Sequence, residues 1–234
     1  MNDPHSTSSW ADSPDVTIGT DQRATFITRT YLHLFGAIVA FTLLETWLFT
    51  SGLADRMARA MLGVSWLLVL GAFIIVSWIA SRVAHRARSL TTQYLALAGF
   101  VVAEAVVFVP LLWLAFLKAP GAVQSAASVT LIAFAGLTAV AFLSRKDFSF
   151  LGGILRWAFV VALVAIVAGI VFGFHLGTWF SVAMVGLAGA AILYDTSNIL
   201  HHYPDDRYVG AALELFASVA LMFWYVLRIF ISRD

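Results

Sequence analysis

An all-α, polytopic membrane bundle is the fold class this sequence predicts, and three observations carry it. Of 234 residues, 61% are hydrophobic and only 12% are charged, with a mean hydropathy of +0.90. A soluble domain of this size needs far more polar surface. Long apolar runs recur along the whole chain, and a spanning helix needs about 20 mostly apolar residues. The connections between the runs are short, which leaves no room for a separate soluble domain.

The elements follow in order. Met1–Gln22 is polar and rich in Ser, Asp and Thr, and reads as a disordered cytoplasmic tail. It does not read as a secretory leader, because Asp3, Asp12 and Asp15 precede any apolar core. Residues 23–234 then form one transmembrane domain of seven spans. These are Tyr31–Thr50, Met61–Ala80, Tyr94–Leu117, Val123–Leu143, Phe150–Phe172, Leu176–Leu200 and Tyr208–Ile231. Span three contains Pro110, which removes one helical hydrogen bond and should kink the helix. Span six carries a small-residue surface, Gly186, Ala188, Gly189, Ala190 and Ala191, which permits close helix packing and turns that face inward. Lys and Arg are biased to the side of the loop Ser81–Ser89, whereas the loop Gly173–Thr178 has no cation. This bias places the N-terminus in the cytoplasm and, after seven spans, the C-terminus outside.

Composition also excludes function classes. With a net charge of +1 and so few cations, no basic stripe is available for nucleic acid. The chain has no Cys, which removes disulfides, thiol catalysis and Cys-based metal sites. No nucleophile–base pair, Gly-rich phosphate loop or HExxH occurs, so an enzyme is not expected, nor is a cofactor. His201 and His202 are adjacent and therefore diverge, which suits a solvated loop better than a metal site.

Four acids lie within the spans: Glu45, Glu104, Asp195 and Glu214. A bare charge at bilayer depth costs a few kcal/mol or more, so each needs water or a partner. Glu45, near the end of span one, is expected to snorkel to the interface. Glu104, in mid-span, is either a protonated carboxyl bonded to a neighbouring helix or part of a polar pathway. Asp195 and Glu214 lie on antiparallel neighbours, each roughly 10 Å inside the boundary by the 1.5 Å rise per residue. They could face each other, share protons and hold a divalent cation when ionised. Ser218 shares the Glu214 face one turn deeper. The alternative for Asp195 is that it snorkels, or caps the helix end through the Thr196-Ser197-Asn198 run.

Several motifs carry a family resemblance. SRKDFSFLGG at Ser144–Gly153 and ILYDTSNI at Ile192–Ile199 closely resemble the Bax inhibitor-1/YccA family. EAVVFVP at Glu104–Pro110 looks like that family's E-G-x-x-x-x-P element, with Ala105 at the glycine position. AALELFAS at Ala211–Ser218 is similar to its A-A-L-x-L-Y-x-D/S element. The resemblance extends over nearly all of the chain after about Arg23. It implies a seven-helix bundle with the last helix at its centre. In the branch that acts as a pH-sensitive calcium leak, two aspartates on spans six and seven sense protons, and an Arg near span two engages them. Here the first aspartate is Asp195 and the second position holds Ser218. The basic partner would be Arg82, with Arg86 as second choice. Ser218 and the Ser232-Arg233-Asp234 terminus resemble the YccA branch, whose members are bacterial inner-membrane partners of the FtsH protease; Asp195 resembles the leak branch. The resemblance thus implies a modulator of FtsH in the bacterial inner membrane, or alternatively a calcium or cation leak with Asp195 as proton sensor. The expected polar pathway comprises Asp195, Glu214, Ser218, Glu104 and Arg82.

Overall fold

Apolar helices in a bilayer associate by close packing, so the helix with the most neighbours forms the core. The computed structural model describes residues 14–86, 89–144 and 146–232. They form α1 (Pro14–Thr50), α2 (Leu53–Leu62), α3 (Trp66–Arg86), α4 (Leu90–Lys118), α5 (Ala122–Ser144), α6 (Leu151–Phe172), α7 (Gly177–His201) and α8 (Tyr208–Ile231). Six of these helices, all but α2 and α3, are long and apolar enough to cross a membrane. The pair α2–α3, bent by 113° at its break, brings the total to seven when counted as one span.

That bent pair replaces the expected span Met61–Ala80. The segment Leu53–Leu62 carries Asp55, Arg56 and Arg59 and forms a short amphipathic helix of its own. Gly63 closes it, donating its amide N–H to Arg59 O, and the spanning helix restarts at Trp66. The N-terminal expectation also needs adjustment. Residues 1–13 lie outside the described residues, but α1 is already helical from Pro14. Extending an existing helix costs far less than nucleating a new one, so the polar residues before Arg23 join the apolar span.

The last helix, α8, occupies the centre and packs against α7, α1, α4, α5 and α3. Its most apolar window is 72% buried, against 17% for α5 and α6. Small residues allow this. Gly210, Ala211 and Ala212 on α8 and Ala188, Gly189 and Ala191 on α7 are all buried. A Cβ at Gly189 would reach Met222 of α8 at 3.6 Å. Rings lock α4 to α8: Phe108 stacks on Phe223 at 5.5 Å and meets Trp224 edge-on at 5.0 Å. Pro110 lies buried within α4, which continues through it. By contrast, α6 and the start of α7 present Trp157, Phe172 and Trp179 outward, as a lipid-facing surface does.

At one end of the bundle Arg23 ties α1 to the α7–α8 connection. Its guanidinium donates to Leu200 O at 3.2 Å and Tyr203 O at 2.5 Å, and pairs with Asp205 at 2.9 Å. The Tyr203 ring stacks on Phe26, with 6.3 Å between centroids. This clamp holds the α7–α8 hairpin, and with it Asp195 and Glu214, in register with α1.

Candidate functional site

Asp195 lies six residues before the end of α7, and Glu214 lies six residues after the start of α8. Depth along the axes is therefore equal, as the sequence implies. Side-chain direction is what decides the pairing. Helical Cα–Cβ bonds tilt toward the N-terminus of their own helix. On these antiparallel helices Asp195 leans away from the hairpin loop, whereas Glu214 and Ser218 lean toward it. Asp195 therefore meets the deeper residue, Ser218, whose Oγ donates to Asp195 Oδ2 at 2.5 Å. Both residues are buried. Glu214 instead accepts from Ser81 Oγ of α3 at 2.6 Å. The two carboxylates are each engaged by a serine hydroxyl while lining the same space.

That space is a cavity of about 1010 Å³. Asp195, Glu214 and Ser218 line it together with Glu104 of α4 and Ser77 of α3. It continues past Trp224 and Tyr225 to Arg228, Ser232 and His175 near the opposite end of the bundle. The structure thus brings four of the five expected pathway residues to one cavity. The fifth, Arg82, is exposed, and its guanidinium stacks on Trp78 of the same helix, 4.8 Å from the ring centroid. The Arg86 side chain lies outside the described residues.

Behind Asp195, the hydroxyls of Tyr31, Thr138 and Thr196 are buried near one another. These groups extend the polar zone toward α1 and α5. The side-chain bond of Asp195 runs across to Ser218 of α8 rather than to the end of α7, where the His202 amide donates to Asn198 O, and Ser197 turns to the α5–α6 connection. Ser197 Oγ accepts from Phe148 N at 2.8 Å and donates to Asp147 Oδ1 at 3.2 Å.

Asp147 is the residue that sequence reasoning missed. It sits in the α5–α6 connection, accepts from Ser149 N at 2.8 Å, and pairs with His202 Nε2 at 2.8 Å. The Ser149 amide and the His202 ring hold its carboxyl well below the usual carboxylate range. His202 therefore belongs to a clasp between two connections on the same end of the bundle. The SRKDFSFLGG motif contains Asp147, Ser149 and Gly152, and Gly152 explains more of that motif: a Cβ there would come within 2.8 Å of the Tyr194 ring. Next to this clasp, burial pushes the Tyr203 phenol well above its usual range.

Glu45 also departs from expectation. It does not snorkel: it is 6% exposed, and neither carboxylate oxygen has a partner among the described residues. No group of three or more His, Cys, Asp or Glu able to hold a metal ion occurs among the described residues.

Known proteins match this chain. A family model described as "Inhibitor of apoptosis-promoting Bax1" matches residues 23–234. The "Modulator of FtsH protease YccA" of Escherichia coli (strain K12) is 36% identical over 110 residues, covering 45% of this chain and 49% of that protein. "Bax inhibitor 1" of Schizosaccharomyces pombe is 34% identical over 112 residues, covering 46% and 41%. "Protein LIFEGUARD 4" of Arabidopsis thaliana is 32% identical over 120 residues, covering 48% and 47%. The chain spans about half the length of these curated relatives.

Proposed function

The chain belongs to the Bax inhibitor-1 family, and from that premise we propose that it is an inner-membrane modulator of a membrane-anchored protease of the FtsH kind. The observation that carries this reading is the 36% identity to the E. coli protein named for that role. The site geometry agrees with a protein that does not conduct on its own. Ser218 donates to one oxygen of Asp195 and Ser81 to one oxygen of Glu214, so each acid is already partly engaged within the protein. Arg228 sets a positive charge in the cavity wall, and a like charge there opposes a passing cation.

Docking to a protease needs a helix face, a loop or a tail. The end of the bundle with the Arg23 clamp and the Asp147–His202 clasp offers a fixed surface, oriented to the cytoplasm in this reading. Deleting Met1–Gln22 leaves Arg23 and its clamp in place and tests whether the N-terminal residues engage the protease. The function is tested by copurification with FtsH and by the rate of FtsH proteolysis with and without this protein. Loss of both effects from the intact protein would reject the proposal.

A second reading is a pH-sensitive cation leak, with Ca²⁺ as the transported ion. The cavity favours it, because Asp195, Glu214 and Glu104 line one continuous space that runs most of the length of α8. Calcium flux into liposomes containing the pure protein, followed across pH, separates this reading from the first.

A further inference from the structure

A second cavity, of about 410 Å³, opens on the other side of α8. Its floor is Phe108 and Leu112 of α4 with Phe216, Val219, Ala220 and Phe223 of α8. Its walls are Ile38–Thr50 side chains of α1 and Val123–Leu131 side chains of α5. The α1 and α5 backbones do not pack against each other, which leaves the space between them as its mouth. At that mouth Thr42, Thr46, Phe116 and Leu131 are exposed. The threonine hydroxyls on α1 already donate to carbonyls one turn back.

Within this apolar groove three acceptor atoms are buried without a partner among the described residues. They are both carboxylate oxygens of Glu45 and Thr130 Oγ1. Glu45 and Thr130 are 6% and 2% exposed and line the same groove. A buried acid with no partner either stays protonated or meets a group that supplies donors, and the groove has room for such a group. The rest of the lining is aromatic and aliphatic. We propose that this groove binds an amphiphile with a primary ammonium head on an apolar chain, its head at Glu45 and Thr130.

A primary ammonium brings N–H donors, which both Glu45 oxygens and Thr130 Oγ1 can accept. Its positive charge complements Glu45. The Phe41, Phe49, Phe108, Phe116, Phe216 and Phe223 rings supply apolar surface for the chain and faces that attract a cation. Glu45 is five residues from the end of α1, so the head would sit about 7.5 Å below that end by the helical rise. An amphiphile reaches this depth sideways from the lipid. The inference stands on this groove alone and is independent of the protease reading.

The test uses the full chain in nanodiscs of phosphatidylcholine, with dodecylammonium as probe and dodecanol as its neutral counterpart. Saturable binding of one dodecylammonium per chain, at least tenfold weaker in Glu45→Gln, is the expected result, with dodecanol unable to compete. Thr130→Val should weaken binding severalfold. Thr46→Trp, on the exposed rim, should block the groove while leaving Glu45 untouched, so the test survives if Glu45→Gln folds poorly. Adding phosphatidylethanolamine to the nanodiscs separates the two sources of such a head: displacement assigns a lipid headgroup, and no displacement assigns a free amine. Equal dodecylammonium binding by the wild type, Glu45→Gln and Thr46→Trp, or equal competition by dodecanol, would overturn the proposal.

Discussion

Removing the Ser218 hydroxyl tests the centre of the bundle. In Ser218→Ala the bond to Asp195 Oδ2, 2.5 Å long and buried, disappears while the α7–α8 packing stays. Neutral hydrogen bonds between membrane helices average about 0.6 kcal/mol, because the unfolded chain in lipid also finds partners. Where the acceptor is ionised the bond is roughly twice as strong, which sets an upper figure of about 1.2 kcal/mol. Leaving a buried acceptor unsatisfied adds about 1–3 kcal/mol. The adjoining cavity is polar on this side and large enough to admit water, which keeps that addition at its low end. Ser218→Ala should therefore cost about 2 kcal/mol. At this chain length that lowers the melting temperature by roughly 4–8 °C. The assay is reversible unfolding in mixed detergent micelles, run as a double-mutant cycle with Asp195→Ala. A coupling of about 1 kcal/mol is expected, and Ser218→Thr should restore most of the loss by keeping a hydroxyl. Additivity within about 0.3 kcal/mol would show that the two residues do not act as a pair, and the reasoning would fail.

Further predictions follow from other parts of the structure. Gly152→Ala should destabilise by about 1–3 kcal/mol, because its new Cβ meets the Tyr194 ring at 2.8 Å, whereas Gly153→Ala meets nothing within 4 Å and should be neutral or stabilising by up to about 1 kcal/mol; thermal unfolding of both variants checks the contrast. Asp147 has a depressed carboxyl pKa, so its stabilising contribution is fully present above the ordinary value of 3.8 and is lost as pH falls further below it. Protection of the Ser149 amide, relative to its intrinsic exchange rate at each pH, should thus hold from neutral pH to about 4 and fall in stronger acid. Asp147→Asn should exchange faster already at pH 7 and show no acid step. Ser218→Asp places a second acid beside Asp195, and calcium flux into liposomes should rise above the wild-type level if the cavity can conduct at all; unchanged flux would remove the cavity from the account of any leak. Reporter fusions should place the loops at Lys146 and His202 on the same side of the membrane as the N-terminus, with the C-terminus opposite.

The helices were legible because each spanning segment is a long apolar run, and the bilayer imposes that length on every one of them. The central place of α8 came from the resemblance, and Gly210, Ala211 and Ala212 supply its packing reason. The α2–α3 break was harder to read. Counting apolar residues alone lets Met61 and Leu62 join the next span, although Gly63 and the charged Leu53–Leu62 face argue for a stop. In the site, residue depth was readable from the helical rise, but which acid meets which hydroxyl depends on side-chain tilt. That tilt sends Asp195 to Ser218 and Glu214 to Ser81 on a different helix. The Asp147–His202 clasp joins residues 55 positions apart and leaves no periodic trace in the sequence. Glu45 was misread because proximity to a helix end suggested snorkelling, while the groove formed by α1, α4, α5 and α8 is a property of the assembled bundle.

Co-reconstitution tests the functional proposal most directly. FtsH and this protein are placed together in liposomes, and degradation of an FtsH substrate and calcium entry are followed in the same vesicles. The account predicts that wild-type protein changes the proteolysis rate and copurifies with FtsH, while liposomes holding it alone stay tight to calcium at every pH. An unchanged proteolysis rate, together with robust calcium flux from the pure protein, would contradict it.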